Sequence, residues 1–193
     1  MKIQPSYLKS VLLALFSGYS FRGKVQDDPQ GDTVVIQMKD LENNYTEIGS
    51  ALTRVDSTSI SSKHHLQKGD VLFISKGANN FALVYDLNFP RAVAASAFFV
   101  LRPDPAKILP GYLAWYLNQK PVQQYLVDNR AGTYIPNVNK TALLGIEIRL
   151  PEKNIQEKIV KVDILRKREY LLIHRLLEKR EQLISNKLLN IIN

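Results

Sequence analysis

The chain has 193 residues, 45% of them apolar, and no cysteine. That composition supports one ordinary core and excludes disulfides, thiolate metal sites and a cysteine nucleophile. The net charge of +8 is shared evenly, +4 over residues 1–151 and +4 over residues 152–193, which suits a phosphate-rich partner without identifying one.

Near the N-terminus the longest apolar run lies at 11–16 (Val-Leu-Leu-Ala-Leu-Phe). It is too short to span a bilayer, and the Ser-Gly-Tyr-Ser-Phe-Arg that follows is a poor cleavage region. The expectation is a cytoplasmic protein with no membrane partner. Residues 33–38 (Thr-Val-Val-Ile-Gln-Met) predict a buried strand, being β-branched and apolar. After the Lys68-Gly69-Asp70 turn, further strands are predicted at 71–74, 82–85 and 97–101, with a hairpin connection at 77–80.

Helical patterning begins after Pro110, over 112–117, with Asn118 as a stop. Pro121 suits the first position of a second helix that carries Val122, Tyr125 and Leu126 at helical spacing. Residues 129–140 are turn-rich and dense in hydrogen-bonding groups, which marks a functional loop held between two firm elements. Residues 144–151 (Leu-Gly-Ile-Glu-Ile-Arg-Leu-Pro) predict a strand closed by proline.

Beyond it, Asn154 is a predicted cap for a helix with no proline or glycine as far as Asn193. Such a helix would be about 60 Å long. One apolar stripe holds Val162, Leu165, Leu172, Leu176 and Leu183, and a second holds Ile173, Leu177, Ile184, Leu188 and Ile191. Two stripes call for more than one partner surface, so helix–helix association is expected. The fold class is therefore mixed α/β (α+β). A compact unit over 1–151 with a mixed or antiparallel sheet precedes one long helix over 152–193, paired with another helix as in a coiled coil.

Catalytic patterns are scarce. There is no glycine-rich phosphate loop and no Gly-x-Ser-x-Gly elbow. Of the three histidines, the adjacent His64 and His65 read as solvated loop residues rather than metal ligands, so no metal site is expected. Asp70 followed by Ser75 and Lys76 is reminiscent of a metal-dependent nuclease core, but the second acid is absent. Polar side chains that could contact DNA gather in loops: Arg22 and Lys24; Lys76, Asn79 and Asn80; and Arg130, Tyr134, Asn137, Asn139 and Lys140. Arginine and asparagine can read base edges, and lysine mainly holds phosphate.

In this order, several segments resemble the specificity subunit of type I restriction-modification systems. They are the glycine turn at 17–22, the strand and Asp-Leu at 35–41, and Leu-Gln-Lys-Gly-Asp-Val-Leu-Phe at 66–73. Then come Leu-Pro-Gly-Tyr-Leu at 109–113 and the junction at 146–159 with Gln156 and Ile159. The junction departs from the family pattern at Arg149, Lys153, Asn154 and Ile155, which leaves the helix start open.

The resemblance implies a non-catalytic target recognition domain followed by a spacer helix, in a half-length form that reads one half of a split double-stranded DNA target. It implies a homodimer as well, docked to modification (methyltransferase) and restriction subunits. S-adenosylmethionine, ATP and Mg²⁺ would be used by those partners, with no cofactor in this chain. The alternatives are an interaction adaptor of the same fold without DNA binding, and a nuclease.

Overall fold

The structure, a computed structural model, describes residues 5–58, 60–77, 79–129 and 137–192. Residues 5–103 supply β1 (Pro5–Tyr7), β2 (Leu12–Ser17), β3 (Thr33–Ile36), β4 (Leu41–Glu42), β5 (Glu47–Ile48), β6 (Thr53–Val55), β7 (Val71–Ile74), β8 (Ala82–Val84), β9 (Ala92–Ala94) and β10 (Phe98–Pro103). Helices α1 (Pro110–Leu117), α2 (Lys120–Asp128) and α3 (Lys140–Leu144) follow, then β11 (Glu147–Arg149) and α4 (Lys153–Ile192).

A central antiparallel sheet has the order β2-β10-β7-β8. A second sheet, β6-β3-β9, pairs β3 with β9 in parallel and with β6 antiparallel. The central strands β7 and β10 are buried on both faces. Val71, Phe73, Phe99 and Leu101 pack with Leu113, Leu117, Leu126 and Leu143 of the helices. On the other side Leu72, Ile74, Phe98 and Val100 meet Val34, Ile36, Ala92 and Ala94 of the second sheet. Burial on both sides explains the unbroken apolar run of β7, where a half-buried strand would alternate. Each fully buried large apolar side chain in this three-layer core contributes about 1.5–3 kcal/mol.

Several sequence expectations shift. The predicted strand at 33–38 ends at Ile36, because Met38–Asp40 tightens into a 3-10 turn. The Asp40 carboxylate accepts the Gln37 N–H at 2.7 Å and draws the chain out of the sheet. The apolar run at 11–16 supplies β2, which pairs with β10. Pro121 is the second residue of α2, one later than expected. Asn154 lies inside α4 and does not cap it. The Glu152 carbonyl already accepts the Ile155 and Gln156 N–H groups at 2.9 and 3.1 Å, so the helix opens directly after Pro151-Glu152. The strand pair β1–β11 lays the N-terminal segment beside the entry to α4.

Candidate nucleic-acid interface

One end of the central sheet gathers basic and aromatic side chains from segments far apart in sequence. Ser75, just past β7, is buried, and its hydroxyl donates to the Ala97 carbonyl at 3.0 Å. Its own carbonyl accepts the Val138 N–H at 2.9 Å, and Lys76 forms a β-bridge with Asn137. These bonds set the exposed Lys76 beside Asn137, with Lys76 Nζ 3.5 Å from the Ser96 hydroxyl. Lys140 opens α3, and its Nζ stands 6.0 Å from the centre of the Phe99 ring. Phe99 pairs with Ser17, so Lys140 overlooks the end of β2.

There a cleft is lined by residues 14–20, Lys63, His64, Arg102 and Lys140. His64 packs edge-on to Phe16 and Tyr19, with ring centres 6.3 and 5.5 Å apart. It is thus a half-buried wall of the cleft and not the solvated loop residue expected from sequence. Lys63 and His64 were missed as candidate contacts, because nothing in Ser-Lys-His-His reveals that a 3-10 turn at Ser62–His64 faces β2. The chain leaves β2 at Gly18, where an added Cβ would stand 2.1 Å from the Ala95 carbonyl oxygen. Only glycine allows that backbone crossing. Beyond it, Phe21 and Val25 pack inward on Val35, Ile60 and Val93, leaving Arg22 and Lys24 exposed. Tyr19 touches both His64 and Phe21, so this loop continues from the edge of the cleft.

The asparagines separate by what they already bond. Asn79 is exposed. Asn80 is buried and donates to the Ile74 carbonyl at 2.9 Å, closing the β7–β8 hairpin. Asn139 caps α3, its side-chain oxygen accepting the Ala142 N–H at 2.8 Å. Both were predicted DNA contacts; Asn80 is buried and bonded within the fold, while Asn139 is exposed and uses its Oδ1 in the cap. Asn137 differs: its Oδ1 is buried with no hydrogen-bond partner, as is His64 Nδ1. Buried polar atoms of that kind are rare in folded proteins. Arg130 and Tyr134 lie outside the described residues.

Asp70, the one acid of the nuclease reading, is fully engaged. Arg102 grips it with two hydrogen bonds of 2.8 Å, and the Gln67 N–H adds a third of 2.8 Å. The Asp70 hydrogen bond holds the Arg102 guanidinium above its ordinary pKa despite partial burial. The pair ties the β7 entry to β10, and Arg102 also lies 5.7 Å from the centre of the Phe16 ring in the cleft. Its role is to brace the interface.

α4 has two parts. Its first turns dock on the α/β unit: Gln156 is buried, Ile159 and Val160 pack on the core, and Asn44 donates to the Tyr170 hydroxyl at 3.3 Å. Burial pushes the Asp163 carboxyl up, but hydrogen bonds from Lys167 and Arg166 outweigh it and hold the group below its ordinary pKa. The apolar stripes are bare. Val162, Leu165, Leu172, Leu176 and Leu183 are all exposed, and across both stripes exposure runs from 46% at Ile184 to 78% at Ile191. Among the described residues no helix is long and apolar enough to cross a membrane.

Residues 3–180 match the type I restriction modification DNA specificity domain. The chain belongs to that family. Solved specificity subunits share its fold. The HsdS subunit from Thermoanaerobacter tengcongensis is 18% identical with a TM-score of 0.64, over 88% of this chain and 43% of that one. The S subunit of a type I restriction-modification system from M. genitalium is 19% identical with a TM-score of 0.55, over 82% and 37%. A chain from a structure on complex assembly and conformational transition of the type I R-M system gives 17% and 0.67, over 90% and 44%. This specificity-family chain thus spans about two fifths of the length of the solved chains it matches. No curated protein matches it in sequence.

Proposed function

We propose that this chain is a non-catalytic DNA-specificity subunit whose α/β unit reads one half of a split double-stranded target. The observation that carries this reading is the convergence of Lys63, Lys76, Lys140 and Asn137, whose side-chain oxygen is unbonded, at one end of the sheet, in a member of a DNA-specificity family. Lys63, Lys76 and Lys140 hold phosphates, with Arg22 and Lys24 on the adjoining loop. Asn79 reads base edges through its exposed amide, and Asn137 does so by turning its buried, unbonded Oδ1 outward on binding, whereas Asn80 is buried and bonded within the fold. Arg130 and Tyr134 join the contact set on sequence grounds.

The unit over 1–151 selects sequence, and the helix over 152–193 pairs with a second copy as a coiled coil and docks methyltransferase subunits. Methyl transfer with S-adenosylmethionine, and ATP- and Mg²⁺-dependent cleavage by a restriction subunit, belong to those partners. The setting is the cytoplasm. Co-purification with a methyltransferase subunit tests the docking.

Duplex DNA titrated at several salt concentrations tests the contact set. Log affinity falls linearly with log salt, and each single change of Lys63, Lys76 or Lys140 to Ala makes the slope shallower by about 0.9. Asn137→Ala leaves the slope alone and relaxes one position of the selected sequence, at about 1–3 kcal/mol. Affinity that does not respond to salt, or slopes unchanged in all three lysine variants, rejects this assignment.

A further inference from the structure

α4 leaves the α/β unit through a joint built on one buried amide. Gln156 is 1% exposed. Its Oε1 accepts the Leu109 N–H at 2.9 Å, and its Nε2 donates to the carbonyls of Lys107 at 3.2 Å and Pro151 at 2.9 Å. One side chain therefore ties the helix to the loop before α1 and to the strand exit after β11. The residue type matters. A primary amide offers an acceptor and two N–H donors, and here the acceptor and both donors are used. Glutamate could only accept, and methionine of similar length could do neither.

Neighbouring contacts close around the same point. Lys153 Nζ donates to the Pro105 carbonyl at 2.7 Å, and the Tyr112 hydroxyl donates to the Arg149 carbonyl at 2.7 Å. Burial pushes the Tyr112 phenol up to about 12, so it stays a donor at neutral pH. Gly111 lets Val160 approach, since an added Cβ would stand 2.9 Å from a Val160 methyl. The next anchor is the Asn44–Tyr170 hydrogen bond, 3.3 Å long and exposed, about 21 Å further along the helix. The buried amide is the firmer of the two.

We infer that Gln156 is the positioning residue that fixes the direction of α4, and through it the spacing between two DNA half-sites. The second part rests on the DNA-specificity reading above. Leverage gives the joint its consequence. α4 extends about 54 Å beyond Gln156, so a tilt of about 10° moves its tip by about 9 Å. That is more than two base-pair steps of about 3.4 Å. A loose joint could not discriminate between spacers one base pair apart.

The chain has no cysteine, so spin labels can be placed cleanly at introduced cysteines, Ser50→Cys and Ser185→Cys. Diluting labelled with excess unlabelled chain isolates the distance within one molecule. The unmodified joint gives one narrow distance distribution. Gln156→Met, which removes all three hydrogen bonds, broadens it, and Gln156→Glu, which keeps the Leu109 bond, broadens it less. A narrow distribution in Gln156→Met overturns the joint. Should both variants fail to fold, a broad distribution with Gln156 in place overturns it and a narrow one upholds it. Binding to duplexes with selected half-sites at stepped spacings then tests the function. Gln156→Met loses spacer discrimination while its affinity for a single half-site is unchanged. Retained discrimination overturns the spacing role. A chain that binds no duplex at all sinks the DNA-specificity reading and the spacing role together, while the distance data still decide the joint.

Discussion

Asp70→Ala lowers unfolding stability by about 3–5 kcal/mol, because it leaves a partly buried guanidinium without its carboxylate. Asp70 is 1% exposed and accepts three hydrogen bonds, two from Arg102 and one from the Gln67 N–H. For a chain of this size that is a drop in melting temperature on the order of 10 °C. The pair itself need not be worth that much, since a buried ion pair is costly to desolvate. The double change Asp70→Val, Arg102→Met therefore recovers much of the loss. Thermal unfolding of Asp70→Ala and of the double variant checks this; a loss of under about 1 kcal/mol in Asp70→Ala contradicts the bracing role. The result also bears on function. Arg102 lies over Phe16 in the basic cleft, so Asp70→Ala weakens DNA binding through the fold.

What could be read from sequence divides along the source of the signal. β7 was legible because both its faces are buried, which writes four apolar residues in a row. α1 was legible from Pro110, and α4 from its long run without proline or glycine. β2 was not read as a strand, because its mixed exposure leaves an apolar run without clean alternation. The family resemblance pointed at Gly18 and Gln156, but the reasons lie in tertiary structure: a backbone crossing at Ala95 and three hydrogen bonds across the joint.

The candidate contacts are legible as a set of loops and not as a set of atoms. Asn79 and Asn80 are identical neighbours, yet one is exposed and the other closes a hairpin. Asn137 and Asn139 differ in the same way, through the cap on α3. Sequence spacing carries no record of which amide the fold has already used. Lys63 and His64 join the candidate site only because the 3-10 turn at Ser62–His64 brings them against β2.

For the dimer proposed above, replacing Leu172 and Leu176 by Glu is expected to convert the chain from dimer to monomer, as read by sedimentation at micromolar concentration. Both side chains stay more than half exposed on the isolated chain, Leu172 at the edge of the groove between α4 and the α/β unit. In a two-fold pair each substitution acts twice, so four leucine side chains are lost from the contact. At about 1–2 kcal/mol for the area each has left to bury, the loss is about 4–8 kcal/mol before any cost of burying the new carboxylates. That weakens association by about a thousandfold or more. The core packs without these residues, so the α/β unit keeps its melting transition. A second readout follows from helix physics. The segment beyond Leu171 has about 21 residues, and helices in proteins draw most of their stability from packing an amphipathic face. The monomeric variant therefore loses helical ellipticity from its C-terminal turns, while the unmodified dimer keeps it. Should the unmodified chain sediment as a monomer, or the doubly substituted chain as a dimer, the stripe is not the self-association surface. An outcome of monomer with full ellipticity would further show that α4 holds its length without a second copy.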